Sequence, residues 1–372
     1  GYHVIPYFYQ RNNKGTTIID NYVQQIGLSK HMRFMDFDLT PLVEGHLNSC
    51  IGFGLANFLT IYRDAQQLVK IIKPVAVLIS VCIDADKWVF LKAARDMGCL
   101  IFCWGHGASG QASFTKQHRC ELVVCDHYFT QGLGSQSTYE KYRDYHFEVR
   151  PIGFPMLDAL RAKVNSTLLS EKSFAFLYAP TNPYKNNFYF SFYPPLVDIE
   201  IYYAQKKIVD FLSSTQGESL LKIGLGNSYK DYFYEAFGAQ IDIESAMPLT
   251  EMLSQTEAFI LDLPTTTLLE VLCTDKPVFV LTQFIKLTDL AENLLRKRAV
   301  CAGTADELIG ALEEYQKTGT YPADVTNQEY LCAFGTYLND GKSAERGAQA
   351  VVQVISSQKR IIKRGSKKRL PL

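Results

Sequence analysis

Apolar residues in the first half of the chain gather in short runs that are separated by amphipathic stretches. Val75–Val81 is rich in β-branched residues and has no alternating polar positions, which predicts a parallel strand buried on both faces. The stretches at 52–72 and Asp86–Met97 space their apolar residues at helical intervals, and Gly98 is a typical helix stop. Other apolar runs predict the remaining strands of this half: Arg33–Leu39, Cys99–Trp104, Leu122–Cys125, Tyr128–Thr130 and Glu148–Pro151.

The same alternation returns in the second half, beyond a polar stretch at 161–173 that has no apolar period and predicts a linker. The strands expected there are Phe174–Tyr178, Leu220–Leu225, Ala258–Leu261 and Pro277–Leu281. Three further stretches predict the helices between them: Ile201–Leu212, Leu249–Gln255 and Thr265–Cys273. Residues 328–356 predict a closing helical segment that breaks at Asn339-Asp-Gly341.

Strands that alternate with helices at this spacing are typical of parallel sheets covered by helices on both faces. The length of 372 residues suits two domains of ordinary size. We therefore predict an α/β protein with two Rossmann-like parallel-sheet domains that face each other across a cleft, followed by a closing helix. The expected boundaries are 1–160 for the first domain, 174–327 for the second, 328–356 for the closing segment and 357–372 for a tail.

Composition favours a large folded core, because 47% of the residues are hydrophobic and the chain contains 23 Phe and 22 Tyr. The longest apolar run, Pro74–Ile83, is about half the length of a membrane span. The 9 cysteines lie mostly within apolar runs, which is typical of reduced core thiols and predicts a cytoplasmic protein. The spacing of the four thiols between Cys99 and Cys125 does not favour a zinc site, so we expect no metal.

The formal net charge is zero, yet the tail at 357–372 is strongly basic. Its Lys and Arg residues are accompanied by no acid: Lys359, Arg360, Lys363, Arg364, Lys367, Lys368 and Arg369. Such a tail is either simply solvated or an electrostatic tether to an anionic surface, which would hold the protein peripherally at the inner membrane. A nucleic-acid-binding protein would carry basic residues across its body, so we expect no nucleic-acid partner.

The most informative stretch runs from an apolar strand into Asp262, a proline, three threonines and Glu270. Asp262 falls where a parallel strand delivers a side chain to the carboxyl edge of its sheet, the edge at which open α/β sheets bind ligands. Hydroxyl and backbone N–H groups come together at the start of the following predicted helix, so we expect an anionic ligand there. The threonines concerned are Thr265, Thr266 and Thr267. Glu270 lies one turn further on, within reach of a sugar hydroxyl, and the pattern predicts a nucleotide-sugar site.

Two carboxylates, Asp84 and Asp86, directly follow the strand predicted at Val75–Val81. A carboxylate at this sheet edge could serve as a general base towards an acceptor hydroxyl, as a nucleophile, or as a stabiliser of an oxocarbenium-like transition state. The alternative for Asp86 is the N-cap of the following helix, a role that aspartate fills routinely. Both aspartates are candidate catalytic residues, and both roles of Asp86 stay open.

A histidine flanked by glycines, His106, follows the strand predicted at Cys99–Trp104. Gly105 and Gly107 let the backbone approach a ligand and leave the imidazole uncrowded, while Ser109 adds a hydroxyl. His106 is therefore a candidate base on an acceptor hydroxyl, or a neutral hydrogen-bond donor to the activated substrate. The alternative is a structural histidine in an apolar environment.

Two further loops at strand ends in the second half carry hydrogen-bond donors. Thr181, Asn182 and Lys185 offer hydroxyl, amide and ammonium groups that suit phosphate oxygens, the alternative being an ordinary polar loop. Asn227 follows two glycines that lack the third glycine of a dinucleotide fingerprint, so a standard NAD site is not expected. Asn227 is instead a candidate contact to a nucleotide base or ribose.

Four stretches together resemble the two-domain GT-B class of enzymes that handle activated sugars, over roughly residues 70–285. They are Pro248–Glu270, which looks like the nucleotide-binding stretch of the class, Tyr178–Thr181, Val149–Asp158 and Trp104–Gly107. The last resembles the His-Gly element of bacterial surface-polysaccharide transferases, including glycerophosphotransferases of teichoic-acid type. The resemblance implies that the three threonines hold the donor phosphate and Glu270 the ribose, while the two aspartates and the histidine face the acceptor.

By this resemblance the chain is expected to be a glycosyltransferase that extends or caps a bacterial surface glycan, an O-antigen or a capsule. The implied donor is a nucleotide-activated sugar, with a CMP-activated ulosonic acid such as Kdo favoured and a UDP-sugar as the other choice. The implied acceptor is a glycan, free or lipid-linked. No cofactor is implied beyond the activated donor, and no metal.

Leu263-Pro264 stands where teichoic-acid enzymes usually carry serines, which leaves the identity of the donor open. One alternative is a CDP-glycerol-type glycerophosphotransferase with His106 as the base. Another is an enzyme that resembles UDP-N-acetylglucosamine 2-epimerases and uses no acceptor, although those enzymes carry an acidic residue before the glycine that precedes His106 here. The third is an inactive GT-B module that binds glycans.

Overall fold

The structure, a computed structural model, describes these stretches of the chain: 33–34, 37–38, 57–80, 85–105, 119–140, 147–166, 174–181, 198–215, 219–224, 230–238 and 240–366. By their contacts the described residues divide into two compact units. Residues up to 77 and residues 85–101 belong to one unit, and residues 78–80 and those from 102 onwards belong to the other. The second unit therefore contains most of both sheets.

Two short antiparallel strands, Arg33–Phe34 (β1) and Phe37–Asp38 (β2), come first in the described chain. The N-terminal sheet follows, with strands Ala76–Ile79 (β3), Leu100–Trp104 (β4), His127–Thr130 (β5) and Glu148–Pro151 (β6) in the order β3-β4-β5-β6. β5 pairs in parallel with both β4 and β6. The helices of this half are 57–72 (α1), Ala85–Asp96 (α2), Arg119–Val124 (α3), Leu133–Glu140 (α4) and Pro155–Ser166 (α5).

The C-terminal sheet has the order β12-β11-β10-β7-β8-β9, and all of its strand pairs are parallel. Its strands are Phe174–Ala179 (β7), Ser219–Lys222 (β8), Asp242–Glu244 (β9), Thr256–Leu261 (β10), Val278–Leu281 (β11) and Val300–Ala302 (β12). Its helices are Asp198–Ser214 (α6), Lys230–Phe237 (α7), Leu249–Met252 (α8), Thr266–Val271 (α9), Asp289–Arg298 (α10) and Ala305–Thr318 (α11). From β7 the chain builds outwards to β9, then returns to place β10 on the other side of β7. The switch point of the sheet, where such folds bind ligands, therefore lies between β7 and β10.

The core of the C-terminal sheet follows from the uninterrupted apolar character of its central strands. Ala258 to Leu261 of β10 are at most 1% exposed, and all four residues of β11 are fully buried. Each buried large apolar side chain contributes about 1.5–3 kcal/mol relative to its exposed state. The sheet is thus a stable platform, and its strand ends are fixed supports for the loops that follow them. The chain thus contains two sheets accompanied by helices, of six and four strands, as the α/β prediction expects.

The closing segment begins with the short helix Glu329–Leu331 (α12), which runs into a π-helical turn at Cys332–Thr336. Helix Ser343–Ser366 (α13) follows. Between them Tyr337, Asn339 and Gly341 have positive φ angles of 63°, 55° and 73°, which end a right-handed helix. The helix break therefore falls where the sequence analysis places it.

Several predicted elements differ from the structure. Leu122–Cys125 lies largely in helix α3 and is not a strand, because a short apolar run does not distinguish a strand from a buried helical turn. Arg33–Leu39 contains two short strands that pair with each other, in place of one strand. The stretch predicted as a linker at 161–173 is helical up to Ser166, as the end of α5.

The strand predicted at Val75–Val81 is shorter and more exposed than expected. β3 spans four residues, and Leu78 within it is 55% exposed. The prediction of burial on both faces is wrong because β3 is the end strand of the four-stranded order among the described residues, where only one neighbouring strand covers it.

The basic tail predicted at 357–372 begins as part of α13, which continues as a helix to Ser366. Residues 367–372 lie outside the described residues. Of the helices in the described stretches, none has both the length and the apolar character that crossing a bilayer requires.

Candidate functional site

The switch point is bordered on one side by the loop that leaves β10. β10 ends at Leu261, and α9 begins at Thr266. Thr265 takes the N-cap position with an extended backbone, but its side chain makes no capping hydrogen bond. Thr265, Thr266 and Thr267 are all partly exposed. The three residues predicted to contact phosphate are therefore partly accessible at the carboxyl edge of the sheet.

Glu270 lies one turn into α9 and is partly buried. Burial raises the pKa of its carboxyl group above the usual value, and no other cause contributes to the shift. Within the described part of the chain this carboxylate has no hydrogen-bond partner. A desolvated acceptor without a partner is well suited to a ligand hydroxyl, because an ionised oxygen forms the stronger kind of hydrogen bond.

The sequence predicts an Asp262 side chain that is open to a ligand at the sheet edge, but in the structure this side chain is buried. The side chain is only 2% exposed. It accepts hydrogen bonds from the Tyr178 hydroxyl at 2.9 Å, from Gln205 Nε2 at 2.9 Å and from the Thr181 N–H at 2.7 Å. A carboxylate inside a protein needs such donors, because its burial without them is very costly. The donors are the protein's own, so Asp262 supports the switch point from within.

Thr181, the predicted donor contact on β7's side of the switch point, is partly exposed. Both of its backbone polar groups are bonded, since its N–H donates to Asp262 and its carbonyl accepts from Gln205 Nε2 at 2.7 Å. The structure therefore brings Thr181 and the loop before α9 to one place. Three other predicted contacts lie outside the described residues: Asn182, Lys185 and Asn227.

Asp86 lies in the first turn of α2, which begins one residue earlier at Ala85. Asn57 Nδ2 donates a hydrogen bond to its Oδ1 at 3.4 Å. The position corresponds to the second residue of the helix, so the N-cap role left open for Asp86 is not the one it has. Asp84, the other candidate carboxylate, lies outside the described residues.

Gly105, the residue before the candidate histidine, is held on both sides. Its N–H donates to the Phe129 carbonyl at 2.9 Å, and its own carbonyl accepts from Gln131 Nε2 at 2.7 Å. Gly105, directly after β4, is thus tied to the end of β5. The rest of the predicted loop contacts, His106, Gly107 and Ser109, lie outside the described residues.

Among the described residues, Gln205 and Gln131 bond to the strand ends at the predicted sites, and neither was predicted from the sequence. Both side chains are fully buried. Gln205 has a signal in the sequence, because it is an uncharged polar residue on the apolar face of the helix predicted at Ile201–Leu212. Gln131 directly follows β5, but a single glutamine after a strand is common in loops and does not predict its contact.

No group of three His, Cys, Asp or Glu side chains in the described stretches is arranged to hold a metal ion. The described cysteines are free thiols. Burial raises the pKa of Cys273 to about 12 and also raises the pKa of Cys99. These thiols stay protonated at neutral pH, which is typical of core cysteines and not of nucleophiles.

No protein-family model matches the sequence, and no curated protein matches it. Solved structures do match the fold. MnaA of S. aureus in complex with UDP aligns with a TM-score of 0.58 at 14% identity, covering 80% of this chain and 81% of that one. The UDP-GlcNAc 2-epimerase of Methanocaldococcus jannaschii, in complex with UDP-GlcNAc and UDP, aligns with a TM-score of 0.54 at 14% identity, covering 80% and 81%. At this identity the similarity establishes the fold.

Proposed function

We propose that this chain is an enzyme that acts on a nucleotide-activated sugar, which it binds at the switch point of the C-terminal sheet. The observation that carries the proposal is Glu270, a partly buried carboxylate that has no hydrogen-bond partner among the described residues, one turn beyond three partly exposed threonines. Glu270 would accept hydrogen bonds from the ribose hydroxyls. Thr265, Thr266 and Thr267 would donate to the phosphate oxygens. The similar structures support this choice of ligand, because the S. aureus protein binds UDP and the M. jannaschii enzyme binds both UDP and the activated sugar UDP-GlcNAc.

We propose glycosyl transfer as the reaction. The acceptor hydroxyl attacks the anomeric carbon, the bond from that carbon to the donor phosphate breaks, and the hydroxyl proton passes to a general base. His106 and Asp84 are the candidate bases, with Asp86 beside them in the sequence. Hydroxyl and N–H donors at Thr265–Thr267, which we call the threonine loop, would stabilise the phosphate leaving group. Orientation of the two substrates would provide much of the acceleration.

A CMP-activated ulosonic acid such as Kdo is the donor we favour, with a UDP-sugar as the other choice. An ulosonic acid carries its own carboxylate, and the sequence after Thr181 offers an amide and an ammonium group in Asn182 and Lys185 that would suit it. The acceptor would then be a bacterial surface glycan of O-antigen or capsule type. The basic residues at the end of α13 would hold the enzyme against an anionic, lipid-linked acceptor surface.

Epimerisation of a UDP-sugar is the second candidate. It is favoured by the similarity in fold to the M. jannaschii UDP-GlcNAc 2-epimerase. In this reaction a carboxylate or histidine removes a C–H proton from the sugar, and no acceptor takes part. The two candidates therefore differ in a simple requirement, the need for an acceptor.

The proposal is tested first by thermal unfolding with a panel of nucleotides, CMP, CDP, UDP, GDP and ADP. A nucleotide present at 100 times its dissociation constant should add about 2.7 kcal/mol to stability if it binds only the folded state. Selective stabilisation by CMP would support the ulosonic-acid donor. Selective stabilisation by UDP would support the hexose donor or the epimerase, and selective stabilisation by CDP would support a glycerophosphate transferase. No stabilisation by any of them would contradict the proposal and favour an inactive glycan-binding module.

A second measurement separates the two reactions. UDP-GlcNAc is incubated with the protein alone, and the sugar is analysed for inversion at C2. Conversion without any acceptor would establish the epimerase. An unchanged sugar, with transfer appearing only after a glycan acceptor is added, would support the glycosyltransferase.

A further inference from the structure

A buried polar network joins the two strand ends of the switch point. Asp262 follows β10, and its Oδ2 accepts hydrogen bonds from Tyr178 of β7 and Gln205 of α6, both at 2.9 Å. Its Oδ1 accepts from the N–H of Thr181 at 2.7 Å. Tyr178 and Gln205 are fully buried, and Asp262 is 2% exposed. One carboxylate therefore links two strands and a helix directly beneath the sheet edge.

Gln205 uses its side-chain amide in two directions. Nε2 donates to Asp262 and also to the carbonyl of Thr181 at 2.7 Å. The hydroxyl of Tyr232 donates to Gln205 Oε1 at 3.5 Å, which agrees with this orientation of the amide. Because Thr181 is bonded through its N–H and its carbonyl, its backbone is fixed against the network on both sides.

A gain in folding stability does not by itself explain this buried network. Replacing a buried ionic group by well-packed apolar residues is often neutral or stabilising. A buried and fully satisfied polar network does specify one arrangement of the groups that it joins. The arrangement specified here is the position of Thr181 relative to the loop that leads to α9.

We propose that Asp262 and Gln205 are positioning residues for the nucleotide-sugar site, which they serve by holding Thr181 beside the threonine loop. This inference rests on the proposed function, because it concerns the same site. Neither side chain would touch the ligand. Their effect would pass through Thr181 and would appear in ligand affinity.

The titration of the network is consistent with this role. Burial raises the pKa of Asp262, while hydrogen bonds from Gln205, Thr181 and Tyr178 act in the opposite direction and favour the ionised form. Burial and the neighbouring Asp262 raise the pKa of Tyr178 well above its usual value, so the phenol keeps its proton and remains a donor. Donors thus surround the Asp262 carboxylate on the sides that face β7 and α6.

The test compares Gln205→Met with a control of matched type. Gln205→Met keeps the size of the side chain and removes both donations to Thr181 and Asp262. The control is Thr256→Val, which removes a fully buried hydroxyl that donates to the Met252 carbonyl at 3.0 Å, at the opposite end of β10. The affinity of each variant for the best nucleotide of the panel is measured by calorimetry, well below its unfolding temperature. Protection of the Thr181 amide is measured in parallel by hydrogen exchange.

We expect Gln205→Met to weaken nucleotide binding about tenfold, which corresponds to about 1.4 kcal/mol, and to speed exchange at Thr181. Thr256→Val should lower the unfolding temperature without changing either quantity. If Gln205→Met does not fold, Tyr178→Phe removes a single hydroxyl of the network and should show the same two effects to a smaller extent.

Two negative results have different meanings. A wild-type protein that binds no nucleotide of the panel would overturn the proposed function, and the positioning role with it. A wild-type protein that binds, beside a Gln205→Met variant with unchanged affinity or unchanged exchange at Thr181, would overturn the positioning role alone.

Discussion

Gly347 lies so close to Trp104 that a Cβ atom added to this glycine would be 2.3 Å from Cη2 of the indole. The added Cβ atom would also be 3.2 Å from Cδ1 of Ile152. Trp104 has little freedom to move away, because its ring packs edge-on against Phe129 at 5.2 Å between centroids. The absence of a side chain at Gly347 therefore lets α13 return to the N-terminal sheet.

Gly347→Ala should destabilise the protein by about 1–3 kcal/mol, the usual cost of overpacking a core contact. The sign of this change in the free energy of unfolding is informative. Alanine is the better helix former by about 1 kcal/mol, so without the close contact the substitution would stabilise α13. Gly310→Ala is the matched control, since Gly310 lies inside helix α11 and a Cβ there would meet nothing within 4 Å. Chemical denaturation should show a loss for the first variant and a gain for the second. A gain for both would contradict the close packing of α13 on Trp104.

Cys273 should resist alkylation in the folded protein. It is 4% exposed, and burial raises its pKa to about 12, so the reactive thiolate is scarce at pH 8. Iodoacetamide treatment followed by peptide mass spectrometry should leave Cys273 unmodified in buffer and modify it fully in denaturant. Equal modification in both conditions would show that this part of the C-terminal core opens readily.

Replacement of His106 should affect turnover and leave donor binding intact. If the imidazole is the general base, His106→Ala should lower kcat by about 10²- to 10⁴-fold. The nucleotide affinity should stay unchanged, because we place the nucleotide on the C-terminal sheet. Steady-state kinetics and calorimetry on the same preparation give both quantities. A variant with normal turnover would identify His106 as a structural residue and leave Asp84 as the remaining candidate base.

The four central strands of the C-terminal sheet were predictable because each is a nearly continuous apolar run between polar loops, whereas the two outer strands, Asp242–Glu244 and Val300–Ala302, were not predicted because they are three residues long. Thr256–Leu261 and Val278–Leu281 lie within two residues of the predicted spans at both ends. The threonine loop and Glu270 follow from the same logic, since a residue that comes directly after a buried strand must lie near the sheet edge.

The role of Asp262 could not be read from the sequence, although its location could. Its partner Gln205 lies 57 positions away in the chain and reaches it only because α6 packs over the ends of β7 and β10. The same limit applies to Gln131 and Gly105, which are 26 positions apart. Local pattern places residues at an edge, but tertiary packing decides whether a side chain faces a ligand or the protein.

Glu270→Gln should stabilise the free protein at neutral pH and weaken nucleotide binding. Burial raises the pKa of the carboxyl group in the folded state, so the folded protein loses stability as pH rises from the unfolded pKa of about 4.3 through the folded value. The glutamine side chain does not ionise, so the variant does not have this loss of stability. The unfolding temperature of the variant should therefore exceed that of the wild type at pH 7 and match it at about pH 4 and below.

The control for this comparison is Glu257→Gln, which removes the same charge from an exposed carboxylate on β10 and should leave nucleotide affinity unchanged. Thermal unfolding between pH 4 and 8 gives the first result, and calorimetry with the nucleotide gives the second. A carboxylate that is kept at a cost to stability, and whose removal lowers affinity, is typical of a binding residue. A Glu270→Gln variant that is more stable yet binds the nucleotide as tightly as the wild type would remove Glu270 from the site.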